Sequence, residues 1–425
     1  MATGRKNDNR KRPTNRPVKK INPSPKGNAN RFYADDRKKS KNKRNRISLA
    51  DRFKVQKKYS QVDFVFIFLV FLLLAFGFVA LLSVSPDASR KLEGNSYNFI
   101  KTQMLGIGLG IVAMLIFTYV DYQIYKKAVP FFFVLVGVML IMCRVPFLGK
   151  KINGAWRWLR YPFLFQPSEL MKPLMAMFIA WMITSGRRRL DTFKGLLPYL
   201  IVMVVIGGII FGLQSHASGA IIICSICVML TVVAGTKLKY YIIMVLGISP
   251  LVGLYLMVDK MRLGRILTVF DPFRDTTDRS YQVIQSLVSI CSGGLFGKGL
   301  GQGMQKYGYL PEGYNDFIFA LVCEELGMVG AIIIMALFAA FIIRGLKIAF
   351  EAPDAYGMLT VVGIMTHIAL QTVLNMGVVC SLVPNTGIAL PFFSYGGTAI
   401  MVLLAEMGVI MNVSRQSVKL KGVLD

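Results

Sequence analysis

The sequence predicts an all-α polytopic membrane protein with about ten transmembrane helices. Three observations carry that prediction. Apolar residues make up 54% of the 425-residue chain and charged residues only 17%, whereas a soluble domain carries about a quarter charged. Mean hydropathy is +0.53. The apolar residues also arrive in blocks of roughly 18 to 25, each long enough to cross a bilayer. Bulk disorder, a collagen repeat and a disulfide scaffold are excluded by the same composition.

The chain opens on a basic tail. Lys and Arg number 50 against 22 Asp and Glu, for a net charge of +28, and residues 1–60 hold 21 of the basic residues and four of the acidic ones. With Pro13, Pro17, Pro23, Pro25 and many Asn, that segment cannot bury a core and is predicted to be disordered. It has no apolar stretch before Val62, so it does not read as a cleavable signal peptide. A nucleic-acid partner is disfavoured, because the tail leads directly into a membrane helix. Positive charge there anchors that side in the cytoplasm and suits anionic lipid headgroups.

Ten spans follow, at about 64–84, 99–120, 129–147, 168–185, 196–213, 216–234, 240–258, 316–343, 357–380 and 390–412. If the N-terminus is inside, the loops after even-numbered spans are inside too. These hold Lys126, Lys127, Arg187, Arg188, Arg189, Lys194, Lys237, Lys239, Arg344 and Lys347 with their neighbours. The short outer loops hold only Arg90 and Lys91. This positive-inside pattern puts both termini in the cytoplasm, including the short tail 416–425. The membrane domain is then 61–415. Two longer outer segments break the pattern, about 144–167 and 258–315, and long loops are exempt from the charge rule. The second is the large extracellular loop between helices 7 and 8. An outer-face site rich in basic residues suggests an anionic substrate.

The six Cys lie mostly inside apolar blocks, where Cys behaves as a small hydrophobe, and two His cannot build a His-rich metal site. Polar residues at membrane depth are more informative, because they are costly there. Glu169 and Lys172 lie three apart on one helix face at the start of the fourth span. They read either as a structural ion pair or as a lysine facing a cavity to meet a phosphate. Asp316 opens the eighth span, with Glu312 four residues before it and Glu324 and Glu325 deeper. It is either a helix cap or a general base on the outer face beside apolar Phe317 and Phe319, where desolvation would raise its pKa. The run Gly293 to Gly303 supplies turn glycines or exposed N–H groups for a pyrophosphate, but it is not a Walker loop. Asp271, Asp275 and Asp278 offer hard oxygen ligands without the spacing of any known cation loop. The string Leu390-Pro-Phe-Phe-Ser-Tyr-Gly-Gly-Thr breaks the helix near the last span, so its backbone must be buried or line a cavity.

Taken in order, these strings resemble the SEDS family (shape, elongation, division and sporulation). The resemblance covers residues 60–415. Five strings carry it: Asn153-Gly-Ala-Trp-Arg-Trp-Leu; Phe165-Gln-Pro-Ser-Glu-Leu-Met-Lys; Tyr281-Gln-Val-Ile-Gln-Ser with the Gly-rich run; Leu310-Pro-Glu through Asp316-Phe-Ile-Phe-Ala to Glu324-Glu-Leu-Gly; and Pro391 to Gly397. The stretch Gly299 to Glu312 looks more like the cell-division branch than the elongation branch. Two departures stand out. Tyr314-Asn315 replaces the usual His-Thr, and Gln214-Ser-His-Ala-Ser-Gly-Ala lacks the usual acidic residue, with His216 and Ser218 nearby.

The resemblance implies a peptidoglycan glycosyltransferase in the cell membrane of a bacterium. It would join lipid II, the lipid-linked disaccharide pentapeptide, to a growing lipid-linked glycan strand. Asp316 would be the essential carboxylate on the outer face, and Arg157, Lys172 and Arg265 the basic groups that compensate pyrophosphate charge. Glu169 and Glu312 would support the site. No cofactor is certain, and a divalent cation such as Mg2+ or Mn2+ could share the charge compensation without any clean ligand set. The implied partners are a single-span class B penicillin-binding protein (a transpeptidase) and other division proteins. The readings weighed against polymerase are a flippase for lipid-linked precursors, which intramembrane charges and broken helices also fit, and a non-catalytic scaffold.

Overall fold

The computed structural model describes residues 62–417, apart from 153, 161–163, 187–189, 259–263, 265–268, 270, 272, 274–277 and 386. The basic tail 1–60, the last eight residues, Arg265 and Asp275 lie outside the described residues.

The described chain is helical but for one small hairpin. Helices α1 (Phe64–Glu93), α2 (Asn98–Tyr119) and α3 (Tyr122–Met142) lead into strands β1 (Gly149–Ile152) and β2 (Ala155–Leu159). Then follow α4 (Pro167–Ser185), α5 (Phe193–Gly208) with a π-turn over Ile209–Leu213, α6 (Ala217–Val233) and α7 (Leu238–Val258). The chain closes with α8 (Asp278–Gly293), α9 (Ile318–Phe350), α10 (Ala355–Val379) and α11 (Gly397–Gln416). Among the described residues, seven helices are long and apolar enough to cross a membrane: α1, α2, α3, α5 with its π-turn, α9, α10 and α11.

Local chemistry sets these ends. Asp63 caps α1 by accepting from Phe66 N at 2.9 Å, and Gly94, at φ 74°, ends it by bonding back to Arg90 O. The helix therefore runs nine residues past the expected boundary at 84, onto polar turns outside the apolar block. Asp121 caps α3, which starts seven residues before the expected 129. Conversely, α11 starts at Gly397 rather than 390, because Pro391 to Gly396 stay non-helical.

Small residues let helices close. A Cβ on Gly106 of α2 would fall 2.3 Å from Gly397 O, and one on Gly408 of α11 would fall 2.4 Å from Met114 O. Such seams replace the hydrophobic drive that lipid cannot supply. Large apolar side chains such as Phe64, Phe131, Val204 and Ile343 point outward, as lipid contact requires.

Polar contacts sort the helix ends into two faces. Arg344 near the end of α9 makes a bidentate pair with Asp63 at the start of α1, at 3.1 and 2.6 Å. Gln123 bonds Asp354, and Gln416 bonds Asp121 at 3.1 Å. The buried Asn412 holds the α2–α3 turn through the carbonyls of Phe117 and Thr118. At the other face, Lys91 bonds Tyr307 O at 3.0 Å, and Phe99 stacks on Tyr395 with centroids 4.2 Å apart.

Two outer segments expected as loops are partly ordered. The first holds the antiparallel β1–β2 hairpin, paired from Gly149↔Leu159 to Ile152↔Ala155. It packs through Leu159 and Phe165 against Cys143. The second holds amphipathic α8, whose Ser286 donates to Val379 O at 2.8 Å.

The Gly-rich run after α8 is a structural lock. Glu324 accepts from Lys298 Nζ at 2.7 Å, Met304 N at 2.9 Å and Gln305 N at 3.2 Å. Glu325 accepts from Lys306 Nζ at 2.8 Å and Ser83 Oγ at 2.5 Å. Where the run crosses α9, a Cβ on Gly297 would sit 2.2 Å from Glu325 O. Gly327 itself takes φ 69°, ψ −169°, which divides α9 into a short segment 318–326 and a long one 328–350. Lys298 and the residues just after the run, Met304 to Lys306, thus bond two carboxylates of α9, while the run's Lys298 and Gly299 amides bond the carbonyls of Glu324 and Glu325.

Candidate functional site

Asp316 sits one turn ahead of α9, in the turn that Pro311 to Phe317 make. Glu312 adopts φ 55°, unusual for a residue with a side chain. Its carbonyl accepts from Asn315 N at 3.0 Å, Asp316 N at 3.1 Å and Phe317 N at 3.5 Å. That turn fixes the backbone of Asp316 before the helix begins. Asn375 of α10 donates to Asp316 O at 2.7 Å and to Ile388 O at 2.6 Å, tying the turn to the segment after α10. Ser394 donates to Asn315 O at 2.6 Å. Four non-glycine residues have positive φ among the described residues, and three of them, Ser215, Glu312 and Phe392, lie in these surrounding loops. Strain of this kind collects where tertiary contacts over-determine the backbone.

The carboxylate of Asp316 is packed beside Gly387 (φ 64°): a Cβ there would lie 3.2 Å from Oδ2. Buried Phe317 follows it. Burial pushes the Asp316 carboxyl up from 3.8 to about 7; the Glu312 charge adds to the rise and the Arg157 guanidinium opposes it. Glu312 in turn bonds the hydroxyl of Tyr314, whose pKa is raised by burial and by that carboxylate. The Tyr314 ring packs on Phe99 at 5.0 Å and on Tyr395 at 6.1 Å. The Tyr-Asn departure from the family pattern therefore builds an aromatic wall next to Asp316. Beside it lies a cavity of about 170 Å³ bordered by Asp87, Lys91, Lys306, Glu312 and Tyr314.

Arg157 reaches this site from strand β2. Its Nε donates to Gln214 O at 3.1 Å and its Nη2 to Ser215 O at 2.7 Å. The break between α5 and α6 thus orients the guanidinium, and Ser215 takes φ 51° there. His216, at the head of α6, is buried among the same groups.

Lys172 and Glu169 form an ion pair at the start of α4. Lys172 is 4% exposed, paired with Glu169 at 2.7 Å and donating to Gln371 Oε1 at 3.1 Å. The ion pair of the structural reading is present, and Gln371 of α10 encloses the ammonium further. Sequence reasoning also passed over Asn375, Gly387 and Lys91. Only the helix-breaking string after Leu390 marked that neighbourhood; Asn375 sits mid-helix with no local signal. Among the described residues, no group of three or more His, Cys, Asp or Glu could hold a metal ion.

A bundle with a broken helix, a buried carboxylate in the turn before it and an arginine-bearing hairpin defines a class of polytopic membrane protein. The family model described as "Cell cycle protein", covering FtsW, RodA and SpoVE, matches residues 63–419, and the chain belongs to that family. It is 36% identical to "Stage V sporulation protein E" of Bacillus subtilis, over 85% of this chain and 99% of the relative. It is equally 36% identical to "Probable peptidoglycan glycosyltransferase FtsW" of Geobacter sp., over 83% and 96%. These identities do not separate the division and sporulation branches. The fold matches a chain described under "Structural coordination of polymerization and crosslinking by a peptidoglycan synthase complex", with TM-score 0.70, 25% identity and coverage of 83% and 98%. It also matches the rod shape determining protein RodA of Thermus thermophilus, with TM-score 0.61, 24% identity and coverage of 84% and 97%.

Proposed function

We propose that this chain polymerises lipid II into β-1,4 glycan strands on the outer face of the cytoplasmic membrane, with Asp316 as general base. The observation that carries this reading is the placement of the Asp316 carboxyl in a turn fixed by Glu312 and Asn375 and packed against Gly387, where burial raises it to about 7 and the Arg157 guanidinium opposes the rise. A base works best when its pKa lies near the operating pH. Asp316 takes the proton from the acceptor's 4-hydroxyl as that oxygen attacks the anomeric carbon of the growing strand. The α-linked polyprenyl pyrophosphate leaves from the opposite side, so the new bond is β. Arg157 offers a planar fork of donors suited to phosphate oxygens as charge builds on the leaving group. Arg265, outside the described residues, has the right chemistry for the same task. Glu312 orients the turn, while Glu169 and Lys172 hold α4 in place.

In this reading α4, α6 and α7 join the seven long helices to make ten crossings, and both termini are cytoplasmic. The pairing of Asp63 with Arg344 and of Asp121 with Gln416 at one face supports that alternation. A transpeptidase with one membrane helix is the partner that the synthase-complex similarity supports, alongside other division proteins.

The test is polymerisation of lipid-linked disaccharide pentapeptide by the reconstituted chain, with substrate supplied on the outer face and the cognate transpeptidase present or absent. A flippase or scaffold makes no strands there. The rate is expected to rise about tenfold per pH unit below 7 and to level above it, because only the ionised carboxylate accepts a proton. Glu312→Gln removes a charge that raises the Asp316 pKa, so the acidic limb should move to lower pH. Arg157→Ala removes one that lowers it, so the limb should move up. A limb unmoved in both variants would detach Asp316 from the chemistry.

Gly387→Ala offers a milder probe. The left-handed backbone costs about 1 kcal/mol with a side chain, and the new Cβ crowds Oδ2. A kcat loss of about tenfold is expected, since small misplacements at a reacting group are amplified. An unchanged kcat in a folded variant would show that the carboxylate has slack.

A further inference from the structure

Away from Asp316, the interior holds a second set of ionisable groups that the chemistry above leaves unused. His367 of α10 and Glu406 of α11 face each other, Nδ1 to Oε2, at 3.4 Å, with side chains 5% and 3% exposed. Neither of those two atoms makes a hydrogen bond. Both residues border a cavity of about 30 Å³, shared with Glu169, Gln371, Ser394 and Tyr395. That is room for a water molecule. The charged neighbours are few. From α4 come Glu169 and Lys172, which cancel each other at 2.7 Å. The loop contributes Tyr395, whose hydroxyl is bonded to Thr102. A Glu406 carboxylate facing a neutral imidazole would then share the Lys172 ammonium with Glu169 as its counter-charge, leaving two buried carboxylates to one cation, which is disfavoured. One proton held between the two side chains completes the set.

The cluster is wired to the Asp316 turn. Gln371 accepts from Lys172 and donates to Ala389 O at 2.8 Å. Leu390 N donates to Ser394 Oγ at 2.7 Å, and Ser394 Oγ donates to Asn315 O, the residue before Asp316. Residues 389–394 therefore lie between the paired side chains and the turn.

We propose that His367 and Glu406 form one buried proton-binding site, filled by a single shared proton, whose occupancy sets the position of residues 389–394 against the Asp316 turn. The proton enters from water through the cavity, and no other reactant is needed. Because two close groups titrate as a pair, loss of the shared proton belongs to both side chains rather than to either one.

The test uses the full chain in nanodiscs, followed by pH-difference infrared spectroscopy between about pH 4 and pH 9. Carboxyl and imidazole bands should change together as the shared proton is lost. Glu406→Gln and His367→Asn should each erase that joint step. Amide exchange of residues 389–394, corrected for its intrinsic pH dependence, should follow the step in the parent and lose it in both variants. Thermal unfolding identifies a variant that does not fold, in which case the other one carries the test. A carboxyl band that persists in His367→Asn, or an imidazole band that persists in Glu406→Gln, overturns the proposal. So does loop exchange that ignores the step. Bands that respond to sodium replaced by choline at fixed pH would mark a metal-cation site and overturn it equally.

Discussion

Asp316→Asn should reduce glycan polymerisation by about 10²- to 10⁴-fold, the span over which general bases contribute. The amide keeps the size of the carboxylate and can still fill the space beside Gly387, so the turn held by Glu312, Asn375 and Ser394 should survive. The loss should fall on kcat more than on KM, because the interaction is made as the proton moves. Stability should move the other way. The folded pKa of about 7 exceeds the ordinary value of 3.8, so the carboxyl's favourable contribution is complete below pH 3.8 and fades as pH rises through 7. Asp316→Asn has no such loss. It should therefore unfold at a higher temperature than the parent above pH 7, with the difference shrinking in acid. Strand synthesis at the parental rate by the folded variant would remove Asp316 from its assigned role.

The second large effect concerns folding. Glu325→Ala is expected to cost about 3–5 kcal/mol, the range for breaking a buried ion pair by deleting one partner. Lys306 and Glu325 are 7% and 4% exposed, so solvent cannot relieve the abandoned ammonium. The same deletion frees Ser83 of α1 and unlatches the Gly-rich run from the short segment of α9. Detergent-solubilised variant should elute as aggregate or unfold well below the parent by fluorescence. Adding Lys306→Met to Glu325→Ala should recover part of the loss, because the unpaired charge is gone. If Glu325→Ala alone unfolds with the parent, the lock is not a source of stability.

Both effects act through groups whose type was plain in the sequence and whose partners were not. Asp316, Glu312, Glu324 and Glu325 stand out because carboxylates are rare among apolar residues. Their sorting into the proposed base, a turn former and two structural anchors depended on Arg157, Lys298 and Lys306, which reach them from other segments. Glu169 and Lys172 show the same division. Their spacing made a pair possible, and only Gln371, 199 residues away, decided that the lysine is enclosed.

What the sequence determined alone was the solvent: apolar blocks of bilayer length dictate a polytopic bundle of long apolar helices, because lipid demands that each segment satisfy its own backbone. What tertiary structure decided was how the breaks between and within helices are held. The break before His216, the kink at Gly327 and the open segment after Leu390 are held by contacts between distant residues. Those contacts carry no local periodicity, so they become visible only once the bundle has closed around Asp316.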